Sequence, residues 1–535
     1  MQNLRPAGYQ LVALTKLLLN GQNAILIADG VGVGKTIVAG YILSCLVNDG
    51  SPALVVCPPG LLEKWRFELR TKFALAPVLV RTPEELANAE EAWSHSVQES
   101  WVYVVASSLL SRMPAPAFPG TVVIDEIHSY RNPSTALWQS ARALLSKASY
   151  RIGLSATPIN NRLEDLAAEL ALLLKVEIAV ADALIADLWR PGQRELLSPL
   201  LTRFNKERLG IHFARRLVSD IRIQYPASYI HEALTLIKEK KNRSKNEAVY
   251  LDEITYFRLA ASSPVALGKS LDVDIQGPST KRDELLKLLG RHDLDHVIVF
   301  CEFEATASEL ASVINDRPSF LITGSVPVFD RQNLLVQFSR SQNGIMVMTA
   351  VGSEGLDLQF CSVLVNYDLT WNPMVLEQRI GRIDRIGQSK DIIQIYNFIV
   401  DGSIDERILE VLGMKLGLVR GSVLETAPVL SDKQPLPLPE QIGTNDFLSQ
   451  EILKKELSEA RGLLKAIALS SEIIPEDYSV LPYVDEEFCN PVRLREARKG
   501  DRPVWLREGA ELGKWLNALS SESKRLGERI SYYAS

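Results

Sequence analysis

From Ala24 to Leu154 short apolar, β-branched runs (AILIA, ALVVC, VYVVA, TVVID, RIGLS) alternate with longer stretches of helical periodicity. Strands separated by helices of that length predict βαβ units and a parallel sheet. A second such series begins at His296 with VIVFCEF, FLITG, IMVMTA, SVLVNYD and IIQIYNFIV. Between the two, Asn160 to Leu294 reads mainly helical and carries clusters of charge. After about Arg420 the pattern changes: VLETAPVLSDKQPLPLPEQIG holds four prolines and reads as an extended linker. Helical periodicity returns from Asp446 to Ala468, and a last segment runs from Asn490 to Ser535. The expected class is α/β. The expected organisation is a first lobe over 1–175, a helical insertion over 176–280, a second lobe over 281–420 and a small, mostly helical C-terminal region over 421–535.

Composition narrows the function classes. With 535 residues, 46% hydrophobic and 23% charged, the chain can build more than one core and is neither disordered nor fibrous. Its net charge of -6 gives no global pull toward nucleic acid, so such contacts must come from local basic patches. Candidate patches are Arg203 to Arg216, KEKKNRSK at 238–245 and the Arg/Lys cluster from Arg493 to Arg507. The five cysteines are far apart and form no C-x-x-C pair, which predicts buried thiols in a reducing compartment. The longest apolar stretch, Leu170 to Trp189, is broken by Lys175, Glu177, Asp182 and Asp187. No membrane span or signal peptide is expected, and the expected location is cytoplasmic, in a bacterium or archaeon, at the nucleoid.

Three strings in the first lobe carry chemistry. AILIADG is followed by Gly32-Val33-Gly34-Lys35-Thr36 and a helical run. A glycine-rich turn between strand and helix offers successive N–H groups to phosphate oxygens, Lys35 reaches the β/γ-phosphates, and Thr36 can hold Mg²⁺. The strict phosphate-loop pattern has glycine where this chain has Asp29. The string TVVIDEIHS delivers Asp125 and Glu126 to a strand end, to complete the Mg²⁺ shell and to activate water. An acidic turn capping a helix has the same look, but about ninety residues after a phosphate loop in one sheet the chemical reading prevails. Ser155-Ala156-Thr157-Pro158 closes another strand and could relay the state of the phosphate site, or be a simple turn.

The second lobe supplies EQRIGRIDRIGQ. Gln378, Arg382 and Arg385 are spaced by four and three residues, so helical geometry points them one way. Arginine suits a phosphate transition state because its fork is planar, permanently charged and bidentate. Offered to a nucleotide held elsewhere, such arginines act as fingers.

In order, Tyr9-Gln10, GVGKT, VVCPPGLLEKW, DEIH, GLSATPINN, FARRLVSDI, VIVFCEF, TAVGSEGLDLQF, NYDLTWNP and EQRIGRIDRIGQ resemble the superfamily-two helicase core. LLEKW, LSATPINN, WNP and GRIDRIGQ resemble its SWI/SNF-type branch, and GSEGLDLQF with EQRIGRIDRIGQ is most similar to the bacterial RapA (HepA)-like subgroup. The resemblance implies two RecA-like lobes and a DEAH-type site using ATP and Mg²⁺. By the same resemblance, Gln10 reads adenine, and Gly32, Gly34, Lys35, Thr36 and Gln378 bind nucleotide. Lys35, Asp125, Glu126, Arg382 and Arg385 are implied to be catalytic, with Thr36 and Asp125 on the metal. Ser107 and Thr349 resemble positions that touch the nucleic-acid backbone, and Arg215 and Arg216 match a paired arginine before the first helical protrusion. The family's usual Asp-Glu before the glycine loop is Asp29-Gly30 here.

The implied function is a translocase that hydrolyses ATP to move along double-stranded DNA, displacing or remodelling bound proteins without separating the strands. A strand-separating or RNA-dependent helicase shares the same motifs. So does an ATP-gated DNA-binding scaffold for partner proteins, docked through the C-terminal region, as in an anti-phage defence system. RapA-type polymerase contacts lie upstream of the core, whereas the first motif here is within ten residues of Met1, so an RNA polymerase partner is not carried over.

Overall fold

The apolar runs of both series become strands in the computed structural model of the chain. It describes residues 8–48, 50–95, 102–112, 118–155, 163–188, 193–204, 209, 213–243, 249–275, 277–291, 294–350, 356–409, 412 and 510–535. These fall into two compact units. One runs to Leu209 and takes in Ala510 to Ser535; the other runs from Phe213 to Leu412.

The first unit holds β1 (Ala24–Ile27), β2 (Ala53–Cys57), β3 (Val78–Val80), β4 (Val102–Ala106), β5 (Thr121–Ile124), β6 (Tyr150–Leu154) and β7 (Leu201–Thr202). They form one sheet in the order β3-β4-β2-β5-β6-β1-β7, and every pairing is parallel. Each residue of β1, β2, β4 and β5 is buried, which is why these segments read as continuous apolar runs rather than alternating ones. A parallel sheet puts the C-terminal ends of all its strands along one edge. That edge receives the turns after β1, β4, β5 and β6, which carry the glycine loop, Ser107, the Asp125-Glu126 pair and Ser155.

The second unit contains β8 (Arg215–Gln224), β9 (Val297–Cys301), β10 (Ser319–Ile322), β11 (Ile345–Thr349), β12 (Val363–Asn366) and β13 (Ile392–Asp401). Their order is β10-β11-β9-β12-β13-β8, again all parallel. Here the expected boundaries shift. The stretch expected as a helical insertion contains β7, which extends the first sheet, and β8, which pairs over ten residues with β13, from Arg215 opposite Ile392 to Gln224 opposite Asp401. The reason is edge position: β8 has one neighbouring strand, so RRLVSDIRIQ leaves much of its surface to solvent and tolerates charge.

Asp368, just past β12, organises the interior of this unit. It accepts from Ser262 Oγ at 3.0 Å and from the Glu302 N–H at 2.9 Å. Buried Lys281 lies 3.2 Å from Asp368 and 3.5 Å from Asp405. A buried charge is tolerable only with such partners.

The helix Ala510–Ala534 folds back onto the first unit, against the helices Gly8–Leu19 and Ile178–Leu188 and the turn Arg194–Leu200. Leu516, Leu519 and Leu526 are buried, with Trp515, Ile530 and Tyr533 packed beside the core. That stripe is an amphipathic helical face, and Arg529 ties it to Asp187 at 2.8 Å. The docking surface expected from Asp446 onward falls, up to 509, outside the described residues, as do Ala156 to Asn161, Cys489 and the 493–507 basic cluster. Among the described residues no helix is long and apolar enough to cross a membrane.

Candidate nucleotide site

The loop after β1 is sewn in place from several directions. Ala28 N–H donates to Thr202 O at 2.8 Å, Gly30 N–H to Phe204 O at 2.9 Å, and Phe204 N–H to Asp29 Oδ1 at 3.0 Å. Buried Asp29 thus does structural work where the strict pattern has glycine, and the Phe204 backbone fixes Gly30 where the family has glutamate. Gly32 and Gly34 take φ of 81° and 100°, conformations in which a Cβ is strained. Tyr9 Oη donates to Val33 O at 2.8 Å and its ring meets Phe204 edge-on. Burial, helped by the charge of Asp29, pushes the Tyr9 pKa up to about 12, so it stays a donor. Gln10 Nε2 donates back to Tyr9 Oη at 3.2 Å, which places the expected adenine-reading side chain beside the loop.

Lys35 opens the helix Lys35–Asn48, and its Nζ donates to Asp29 O at 2.9 Å and Gly30 O at 3.3 Å. The ammonium is therefore held across the loop, among N–H groups at a helix N-terminus, where anions are favoured. Thr36 follows, half-buried in the first turn.

At the end of β5, Asp125 is buried and doubly held. Trp65 Nε1 donates to Oδ2 at 2.8 Å and the Glu126 N–H donates to Oδ1 at 2.9 Å. Burial and then the neighbouring Glu126 charge raise its pKa, against the opposing Trp65 hydrogen bond. Glu126 adopts φ 52°, ψ 48°, a left-handed conformation rare outside glycine that aims its carboxyl off the strand line. His128 Nδ1 lies 3.3 Å from Glu126 Oε2 without hydrogen-bond alignment. Burial, with Arg131 nearby, lowers the His128 pKa to about 4, so the ring is neutral at ordinary pH.

In the second unit the helix Pro373–Ile380 ends just before Gly381; Arg382 follows in a turn and Arg385 in a bend. Gln378, Arg382 and Arg385 are half-buried, while Arg379, Ile380, Ile383 and Asp384 face inward. Arg385 Nε donates to Gly381 O at 2.7 Å. Arg379, absent from the sequence reading, is buried and donates to Asp368 O at 2.7 Å and Glu302 Oε2 at 3.2 Å.

Ser107 is half-buried at the end of β4, Thr349 is buried at the end of β11, and Arg215 is exposed on β8. Arg216 requires a correction. Its side chain is 1% exposed and is spent on Glu377 and Asp384, so it is a buried brace and not a surface contact for nucleic acid. Trp65, part of LLEKW in the sequence but given no role there, and Phe204, outside every string quoted, brace Asp125 and the loop.

Two family models match this chain: the SNF2-related domain over residues 9–184 and the helicase conserved C-terminal domain over 280–387. The chain belongs to the SWI/SNF-type ATPases. Within that family it is RapA-like and an ATP-hydrolysing enzyme. It is 28% identical over 502 residues to an uncharacterized ATP-dependent helicase, YqhH, of Bacillus subtilis (strain 168), covering 85% of this chain and 86% of that protein. It is 27% identical over 448 residues to the RNA polymerase-associated protein RapA of Pectobacterium atrosepticum, covering 69% of this SWI/SNF-type chain but 45% of RapA. It thus spans about half the length of that relative. The solved Sulfolobus solfataricus SWI2/SNF2 ATPase core in complex with dsDNA is 20% identical, over 78% of this chain and 92% of that one, with a TM-score of 0.35.

Proposed function

We propose that this SWI/SNF-type ATPase is a motor that hydrolyses ATP to move along double-stranded DNA, displacing or remodelling bound proteins without separating the strands. The observation that supports the reading is that Lys35, Thr36, Asp125 and Glu126 stand along the C-terminal edge of one parallel sheet in the first unit. In the second unit Gln378, Arg382 and Arg385 are half-buried at and just beyond the end of the helix Pro373–Ile380.

In this reading the loop N–H groups and Lys35 hold the triphosphate, and Gln10 reads the base. The donor set suits magnesium, since the Thr36 hydroxyl and the Asp125 carboxylate are hard oxygens, and one or two such ligands suffice when phosphates and waters supply the rest. Magnesium, when bound, withdraws charge from the phosphate oxygens. Trp65 and the Glu126 N–H fix the Asp125 carboxylate before it is needed. Glu126 takes the proton of the attacking water as its oxygen bonds to the γ-phosphorus and the bond to the β-phosphate oxygen breaks. Arg382 and Arg385 balance the charge spread over the γ-oxygens, a contribution on the order of 10³-fold or more. Loss of the γ-phosphate removes what both sets of side chains grip, and repetition becomes movement if each lobe holds the DNA backbone. Ser107, Thr349 and exposed Arg215 are the proposed backbone contacts, and phosphate contacts alone bind without sequence preference.

The test is ATP hydrolysis alone and with duplex DNA, single-stranded DNA and RNA, at low and moderate salt, beside a strand-displacement assay. Strong stimulation by duplex DNA, lost in Arg382→Ala, with no strand separation, is expected. Stimulation mainly by single strands or RNA, or robust unwinding, replaces the translocase with a helicase. Binding of DNA without turnover leaves a scaffold.

A further inference from the structure

The segment that carries Gln378, Arg382 and Arg385 has no continuous helix to hold it. The regular helix stops at Ile380. Beyond it, i-to-i−4 bonds (Gly381 N–H to Glu377 O, 2.8 Å; Asp384 N–H to Ile380 O, 2.9 Å) mix with i-to-i−3 bonds (Arg382 to Arg379 and Ile383 to Ile380, both 3.0 Å). Gly381 sits in the middle, the residue with the most backbone freedom. These bonds hold a mixed turn, and side-chain contacts on the same segment add to what sets the direction of Arg382.

Arg216 stands on β8 opposite Ile393 of β13, and its guanidinium reaches both ends of this segment. Nη1 and Nη2 donate to Glu377 Oε2 and Oε1 at 2.7 and 2.6 Å. Nε and Nη2 donate to Asp384 Oδ2 at 2.8 and 2.6 Å. Glu377 and Asp384, seven residues apart on either side of Gly381, both turn to Arg216. Gln378 and Arg385 each follow one of them by one residue, and with Arg382 they stay half-buried. One buried arginine therefore staples a loosened turn across Gly381. Arg379 pins the same segment to Asp368 O and Glu302. A guanidinium offers coplanar donors for a two-pronged grip on both carboxylates; an ammonium can lie near two, as Lys281 does, but only as a point charge without that geometry.

We propose that Arg216, through Glu377 and Asp384, is the positioning residue that aims Arg382 at the γ-phosphate; this rests on Arg382 acting as the arginine finger. The acidic residues of EQRIGRIDRIGQ are then part of the finger's mounting. Burying Arg216 and Asp384 beside a partly covered Glu377 is costly, and apolar side chains of similar volume often replace such groups without loss of stability. Holding a side chain to within a fraction of an ångström is a reason to accept it.

The experiment compares Arg216→Lys, Arg382→Ala and the double variant for kcat, KM for ATP, duplex-DNA affinity and melting temperature. Arg216→Lys keeps the charge but cannot fork to both carboxylates. The expected result is a kcat lowered between about tenfold and 100-fold. KM and DNA affinity should stay within about twofold, and the double variant within about twofold of Arg382→Ala, because Arg216 acts through Arg382. Should Arg216→Lys fail to fold, Glu377→Gln, which keeps the Arg216–Asp384 pair, is expected to show the same pattern with a smaller loss. An unchanged kcat, losses that multiply with Arg382→Ala, or a loss confined to DNA affinity would each overturn the proposal. If Arg382→Ala itself leaves kcat unchanged, the finger reading fails; if Arg382→Ala is impaired and Arg216→Lys is not, only the clamp fails.

Discussion

Trp65 gives its indole N–H to Asp125, Nε1 to Oδ2 at 2.8 Å, between two side chains that are 1% and 9% exposed. The bond crosses from the helix Leu62–Phe73 to the end of β5 and leaves the carboxylate one orientation. Trp65→Phe retains the packing and removes the donor. It is expected to lower stability by about 1–3 kcal/mol, the cost of an unpaired buried acceptor. It should also raise the magnesium concentration needed for half-maximal ATP hydrolysis. A magnesium titration beside a melting curve separates the effects, and an unchanged magnesium requirement would leave Trp65 as packing alone.

Glu126→Gln keeps the shape of the turn and removes the proton acceptor. Turnover is expected to fall about 10²–10⁴-fold while a fluorescent ATP analogue still binds. Binding lost together with turnover would point to a collapsed turn and not to a missing base.

Gly153 lies in β6, where a Cβ would come 2.9 Å from Ile127 Cδ1, 3.1 Å from Leu26 Cδ1 and 3.2 Å from Leu173 Cδ1. All three are side-chain methyl ends and no backbone atom is among them, so the overpacking is relieved within the core and not through the turn at Glu126. Gly153→Ala is expected to cost about 1–3 kcal/mol in stability and to leave kcat within about twofold. Thermal melting and steady-state hydrolysis check the two parts.

Glu522, on the C-terminal helix, has its pKa raised to about 7 by burial and then by Glu195, against Lys16 and Arg525. The folded protein holds this proton more tightly than the unfolded chain, so between the ordinary carboxylate range and about pH 7 stability falls as pH rises. The wild type is expected to melt lower at pH 8 than at pH 5.5 by more than Glu522→Gln does. Melting scans across that range decide it, and a variant with the wild-type slope would remove Glu522 as the cause.

The buried strands were legible because a strand covered on both faces must be apolar along its whole length, as AILI and ALVVC are. β8 was not, since an edge strand carries arginines and an aspartate, and β7 is two residues long. Lys35, Thr36, Asp125 and Glu126 were legible as local strings at strand ends. Their supports were not: Trp65 is 60 residues from Asp125, Phe204 is 175 from Asp29, and Arg216 is 168 from Asp384. A pair that forms only when distant segments meet leaves no periodicity or spacing to read. Arg216 also shows how a surface-like charge string misleads, because a buried arginine and an exposed one are the same letter.

The helix Ala510–Ala534 makes the first lobe a structure whose two parts leave the ribosome far apart in time. At about 5–20 residues per second, the roughly 300 residues between Leu209 and Ala510 take on the order of 15–60 s to synthesise. Throughout that interval the apolar seat for Leu516, Leu519 and Leu526, beside Ile178–Leu188 and Arg194–Leu200, lacks the helix that covers it among the described residues. The helix that bears Tyr9 and Gln10 also lines that seat, so the surroundings of Gln10 are among the last parts of the first unit to mature, and a shortened translation product would expose that apolar seat.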